Sequence, residues 1–129
     1  MSGPALLVVD DDAGFRAMLA AFLDHRAGRV DLAGSAEEAL AQLETHTPDL
    51  IFLDMRMPGL GGLGFLREAR ARSLGVPVVV VTAFAEVEDA VEAMKLGATD
   101  YLTKPVDLGD LEELLGRLAP PGTRAARGG

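Results

Sequence analysis

The chain has no cysteine in its 129 residues, which excludes disulfides, thiolate metal sites and cysteine nucleophiles. That absence fits a reducing compartment. Long apolar runs are missing too. The first, Ala5 to Val9, is too short for a signal peptide or a membrane span, and no basic region precedes it. A cytoplasmic protein with no membrane partner is the expectation. Positive charge is scarce: 12 Lys and Arg stand against 20 Asp and Glu, for a net charge of −8. That balance argues against a nucleic-acid contact by this domain. No G-x-G-x-x-G or Walker pattern follows the first apolar run, which disfavours nucleotide binding. There is no internal repeat and no sign of a second domain.

What is present suits one globular domain, with 49% hydrophobic and 25% charged residues. Ala5 to Val9 reads as a buried strand that runs into Asp10-Asp11-Asp12. Asp12 is placed to cap a helix whose Phe15, Met18, Leu19, Phe22 and Leu23 share one face. Arg29 to Ala33 alternates and reads as a half-exposed edge strand. Ser35 and Glu38 form a capping box before a helix with Ala36, Ala39, Leu40 and Leu43 inward. Leu50 to Leu53 is a second buried strand ending at Asp54. Met57-Pro58-Gly59 cannot continue it, because Pro58 lacks an N–H.

Gly61-Gly62 reads as a loose turn before a helix from about Leu63, with Leu66 and Ala69 inward and Arg67, Arg70 and Arg72 wet. Val78 to Thr82 is β-branched throughout and reads as a central strand. The next helix carries Val87, Val91 and Met94 on one face and an acidic run from Glu86 to Glu92, and Gly97 is the expected C-terminal cap. Thr99 to Thr103 is a short last strand. Asp107 caps a final helix with Leu108, Leu111, Leu114, Leu115 and Leu118 inward. Strand and helix alternate five times, which predicts an α/β fold with a parallel sheet and helices on both faces.

Asp10 and Asp11, Asp54, Thr82 and Lys104 fall at or just after the carboxyl ends of four strands. In a doubly wound sheet those ends share one edge, so the residues converge there. Crowded carboxylates raise one another's pKa and need a cation. Lys104 is one candidate and Mg²⁺, which favours oxygen ligands and bridges to phosphate, is the other. A hydroxyl and an ammonium facing the same point suit the oxygens of a phosphoryl group. Asp54 is the natural carboxylate to carry it. Singly the residues read more simply: Asp10 as a capping acid, Thr82 as a strand end, Lys104 as a turn lysine, Tyr101 as packing. His25 and His46 stand alone and receive no role.

Together, Val8-Val9-Asp10-Asp11-Asp12, Leu53 to Gly59, Val81-Thr82-Ala83 and Gly97 to Pro105 resemble the receiver domain of two-component response regulators. The resemblance covers roughly Ala5 to Leu118. It implies a flavodoxin-like (βα)5 fold, a doubly wound five-stranded sheet in strand order 2-1-3-4-5. Asp54 would accept a phosphoryl group from a sensor histidine kinase or a histidine phosphotransfer protein. Asp11, Asp54 and the backbone carbonyl of Arg56 would hold Mg²⁺ or Mn²⁺, with Asp10 acting through water or weakly. Thr82 and Lys104 would bind the phosphoryl oxygens, and Thr82 and Tyr101 would act as the switch pair. Lys104-Pro105 would be cis, and small Ala83 would leave the site open.

The resemblance further implies a regulatory domain that catalyses only its own phosphorylation and dephosphorylation. Its output face would be the Glu86–Lys95 helix, the Tyr101 strand and the last helix, a face open to homodimer formation. The role would be in transcriptional control, with a stand-alone receiver or a phosphorelay intermediate as the alternative. Residues 1–119 are expected to form the receiver domain, and 120–129 a flexible tail or linker stub. Three departures stand out. Asp12 makes a third consecutive acid, which is assigned to capping. Gly61 replaces an acid frequent in the family, and the long side chain of Arg56 could overhang the site. A haloacid-dehalogenase-type phosphatase also needs Asp-x-Asp after a strand. That family wants Thr or Val where Gly14 stands, and an acidic pair where Asp107 and Asp110 open a helix. A non-phosphorylated binding module of the same fold is disfavoured by the complete acceptor set.

Overall fold

The computed structural model describes residues 3–83 and 86–119. The expected tail at 120–129 lies outside the described residues. Five strands alternate with five helices: β1 (Ala5–Val9), α1 (Ala13–Asp24), β2 (Arg29–Ala33), α2 (Ala36–Leu43), β3 (Leu50–Leu53), α3 (Gly61–Ala71), β4 (Val78–Thr82), α4 (Val87–Lys95), β5 (Asp100–Thr103) and α5 (Leu108–Leu118). The strands form one sheet in the order β2-β1-β3-β4-β5, and each neighbouring pair is parallel. This is the expected fold. β1, β3 and β4 are buried along their whole length, as their unbroken apolar runs require. The edge strand β2 is only partly buried.

Period-two alternation splits the core into two layers. Leu7, Val9, Ile51, Leu53, Val78 and Val80 face α2, α3 and α4, where Ala36, Leu40, Phe65, Leu66 and Ala93 meet them. Leu6, Val8, Leu50, Phe52, Val79 and Val81 face α1 and α5, where Leu19, Leu23, Leu111, Leu114 and Leu115 meet them. Fully burying a Val, Leu, Ile or Phe side chain in these layers contributes roughly 1.5–3 kcal/mol of transfer free energy.

The helix ends follow the local sequence. Asp12 accepts N–H bonds from Gly14 and Phe15, Ser35 from Glu38, and Asp107 from Asp110. The reciprocal arm of the Ser35 box reaches one residue further back, with Glu38 accepting from Gly34 N–H at 2.7 Å. After α4, Gly97 at φ +100° lets its own N–H reach Met94 and the Ala98 N–H reach Ala93, a Schellman closure.

Three expectations need correction. α3 begins at Gly61, not near Leu63. Gly61 enters at φ +73° and the Gly62 N–H donates to Met55 O, so the glycine pair is an ordered helix start. Met18 is 43% exposed, because Leu19 and Leu23 fill the centre of the α1 stripe and Met18 lies at its margin. Leu108 is 46% exposed, in the first turn beside the Asp107 cap and ahead of the first buried residue, Leu111.

At the amino edge of the sheet, buried Asp49 joins β1 to β3. Its carboxylate accepts the Ala5 N–H at 2.8 Å, and its own N–H donates to Ala5 O at 2.7 Å. Replacing Asp49 by Ala strands a buried donor, so Asp49→Ala should lose about 1–3 kcal/mol of stability by urea denaturation.

Candidate functional site

The site is built by ladder bonds that run one residue past the strands. Asp10 N–H donates to Ala33 O at 3.0 Å, Asp54 N–H to Val9 O at 2.9 Å and Lys104 N–H to Thr82 O at 2.8 Å. Backbone pairing therefore sets where each functional side chain starts. Asp10 and Asp54 follow β1 and β3, the adjacent strands where the winding direction reverses, the place where such sheets bind ligands.

Carboxylate oxygens of Asp10, Asp11 and Asp54 lie within 4.8 Å of one another, with Asp10 and Asp54 buried and Asp11 exposed. Lys104 Nζ lies 2.7 Å from Asp10 Oδ2. The other Asp10 oxygen accepts the Asp12 N–H at 2.9 Å, and the Asp10 carbonyl accepts from Arg16 at 2.6 Å. Asp54 Oδ1 accepts the Met55 N–H at 2.9 Å. Thr82 is fully buried at the end of β4. The Lys104–Pro105 peptide bond is cis.

Burial pushes the Asp54 carboxyl above its usual range, and nearby Asp10 pushes the same way. A hydrogen bond with Thr82, the Lys104 charge and the Met55 N–H pull it back down. Desolvation wins. One ammonium against three carboxylates leaves excess negative charge, and all the available donors are oxygen. That donor set fits a hard divalent cation such as Mg²⁺. Tyr101 is half-buried against the α2–α4 core layer, and its phenol is pushed up by burial and by Asp89.

Sequence reasoning missed several contacts around this cluster, including where the Arg56 side chain goes. Arg56, just after β3, reaches across to α4 and pairs with Glu86 and with Asp89, the latter at 3.2 Å. Glu86 and Asp89, in the first half of the Glu86–Glu92 run, are therefore partners of the site loop. The Arg56 side chain goes to α4. Glu37 on α2 accepts the Leu60 N–H at 2.9 Å and so holds the loop that follows Asp54. Gly62 packs so closely that an added Cβ would fall 2.6 Å from Asp54 O. Only the doublet Gly61-Gly62 hinted at this close approach. Nothing in the sequence pointed to Glu37. Asp107 and Asp110, the acids weighed for a dehalogenase site, are joined as a helix cap, Asp110 N–H to Asp107 Oδ1 at 3.0 Å.

The family description "Response regulator receiver domain" matches residues 6–116. The chain belongs to this family. Receiver-domain relatives agree with the assignment. The transcriptional regulatory protein ZraR of Salmonella typhimurium is 44% identical over 110 residues, 85% of this chain and 25% of that protein. The regulatory protein AtoC of Escherichia coli is 38% identical over 112 residues, 87% of this chain and 24% of that protein. The receiver domain thus spans about a quarter of the length of these regulators.

Among solved structures, a response regulator receiver protein from Pseudomonas putida superposes with a TM-score of 0.84 at 39% identity, covering 91% of this chain and 98% of that one. The chemotaxis protein CheY4 of Vibrio cholerae superposes with a TM-score of 0.83 at 29% identity, covering 91% and 99%. In this receiver domain, no helix among the described residues is long and apolar enough to cross a membrane.

The raised Asp54 pKa has a stability consequence. A carboxyl whose folded pKa lies above its unfolded value favours folding when protonated, and that contribution is lost as pH rises through the folded pKa. In metal-free buffer, Asp54→Asn should therefore raise the urea midpoint at pH 7. The gain should shrink as pH falls below the folded pKa and Asp54 itself becomes neutral.

Proposed function

We propose that this receiver domain is a phosphorylation-controlled switch that accepts a phosphoryl group on Asp54 from a histidine kinase or a histidine phosphotransfer protein. The observation that carries the reading is the meeting of Asp10, Asp11 and Asp54 within 4.8 Å, beside Thr82 and Lys104. An Asp54 oxygen attacks phosphorus, the P–N bond to the donor imidazole breaks, and the imidazole nitrogen takes a proton from solvent.

Mg²⁺, or Mn²⁺, when bound, supplies the positive charge that offsets both the acids and the incoming phosphoryl oxygens. Its holders would be the carboxylates of Asp10, Asp11 and Asp54 and the Arg56 carbonyl. Thr82 and Lys104 take the remaining phosphoryl oxygens through charge-assisted bonds. Asp54 is a regulatory acceptor in this reading, not the centre of a turning-over phosphatase.

The added charge would bias Thr82 and Tyr101 and through them α4, β5 and α5. Val87, Val91 and Met94 are 77%, 47% and 46% exposed on α4, which supports this face as the output surface and as a homodimer contact. The relative ZraR is named a transcriptional regulatory protein, which supports transcriptional control, and a cytoplasmic setting goes with that reading. The receiver would lie within residues 1–119, which the family match over 6–116 supports.

Acetyl phosphate with Mg²⁺ should add the mass of one phosphoryl group to the intact chain, located on Asp54 by peptide mass spectrometry. Asp54→Ala should take up none, and EDTA should abolish uptake by the wild type. Labelling at any other residue contradicts the assignment.

A further inference from the structure

Lys104 has a second neighbour that no acid–base reading of the site includes. Its ammonium lies 4.1 Å from the centre of the Phe15 ring, over the ring face, and 2.7 Å from Asp10 Oδ2. The distance is within the range of a cation–π attraction. The Lys104 side chain is only 18% exposed, so water screens the contact little.

Phe15 is held there by the chain itself. Its N–H donates to Asp12 Oδ1 at 3.1 Å, so the cap that starts α1 also fixes the backbone that carries the ring. The ring packs against the α1–α5 core layer below. We propose that Phe15 is a positioning residue that seats the Lys104 ammonium between Asp10 and the acceptor Asp54. The proposal rests on the phosphoacceptor reading for its purpose, though not for its geometry.

Lys104 has a flexible four-carbon stem and a point charge with no fixed direction. Three carboxylates compete for that charge. In the resting protein Asp10 holds it. Were Asp10 drawn toward a bound cation, Lys104 would lose that partner, and without another its ammonium would be free to move into solvent. A ring face attracts the ammonium without fixing its rotation, so Lys104 can leave Asp10 and reach a phosphoryl oxygen while staying over Phe15. Loss of the ring would leave the stem to be ordered during phosphoryl transfer.

The test compares wild type with Phe15→Leu and with fluorinated phenylalanines installed at position 15 alone. The fluorinated rings keep the shape and drain the face potential in steps, so a packing role would not follow them. The first readout is the lysine side-chain NMR spectrum of the metal-free protein, which holds just Lys95 and Lys104 signals. The Lys104 methylene next to the ammonium should be shifted upfield by the ring, and Phe15→Leu should return it to the ordinary position.

The second readout is the rate of Asp54 labelling by acetyl phosphate with Mg²⁺. It should fall by about threefold or more in Phe15→Leu and in graded steps along the fluorinated series. An unshifted Lys104 signal in the wild type overturns the seat, and so does labelling at the wild-type rate across the series. A wild type that takes up no phosphoryl group overturns the phosphoacceptor reading instead, and the NMR arm then decides the seat by itself.

Discussion

Like charges brought together at one rim govern the site. Three carboxylates sit closer to one another than water would let them sit freely, and the fold holds them there through backbone pairing that the side chains cannot escape. Burial pushes the Asp54 carboxyl toward its neutral form, and the nearby Asp10 charge adds to that push. Lys104 relieves part of it through Asp10. The remainder is an electrostatic demand for positive charge and for groups able to share it. Nearly every other feature of the rim answers that demand: the amide N–H groups of Asp12 and Met55, the Arg16 guanidinium on the Asp10 carbonyl, and the buried hydroxyl of Thr82.

The fold was legible because its signals are redundant. Unbroken apolar runs marked β1, β3 and β4 as central, and the alternating Arg29–Ala33 stretch marked an edge. Caps at Asp12, Ser35 and Asp107 and the stop at Gly97 fixed the helix ends. The errors fell where periodicity says little. A face drawn through Met18 or Leu108 includes residues at the margin of contact, and only the neighbouring layer decides whether they are covered. Gly61-Gly62 looked like slack because sequence shows the freedom of glycine and hides the crowding that requires it.

The positions of the site residues were legible for a different reason. Functional groups at strand ends in a doubly wound sheet must converge, whatever their separation in the chain. What sequence could not supply were the contacts made from helices to the rim. Glu37 on the Leu60 N–H, Arg56 on Glu86 and Asp89, and Phe15 beneath Lys104 depend on how far a helix rotates and how a side chain bends. Each of these residues also reads well as something ordinary: a first-turn acid, a wet arginine, a core aromatic.

The buried Asp49 bond has a consequence for where this domain can bend. The lower margin of the sheet is riveted, with β1 and β3 joined by both a main-chain and a carboxylate bond, and with Ile51 and Thr99 donating to Pro77 and Val78 alongside. The upper margin carries main-chain bonds too, from Asp10, Asp54 and Lys104, but the side chains beyond them rest on a balance of charge. With the backbone paired at both margins, an added anion would act on the side chains and loops of the rim, and the core beneath would have no need to repack.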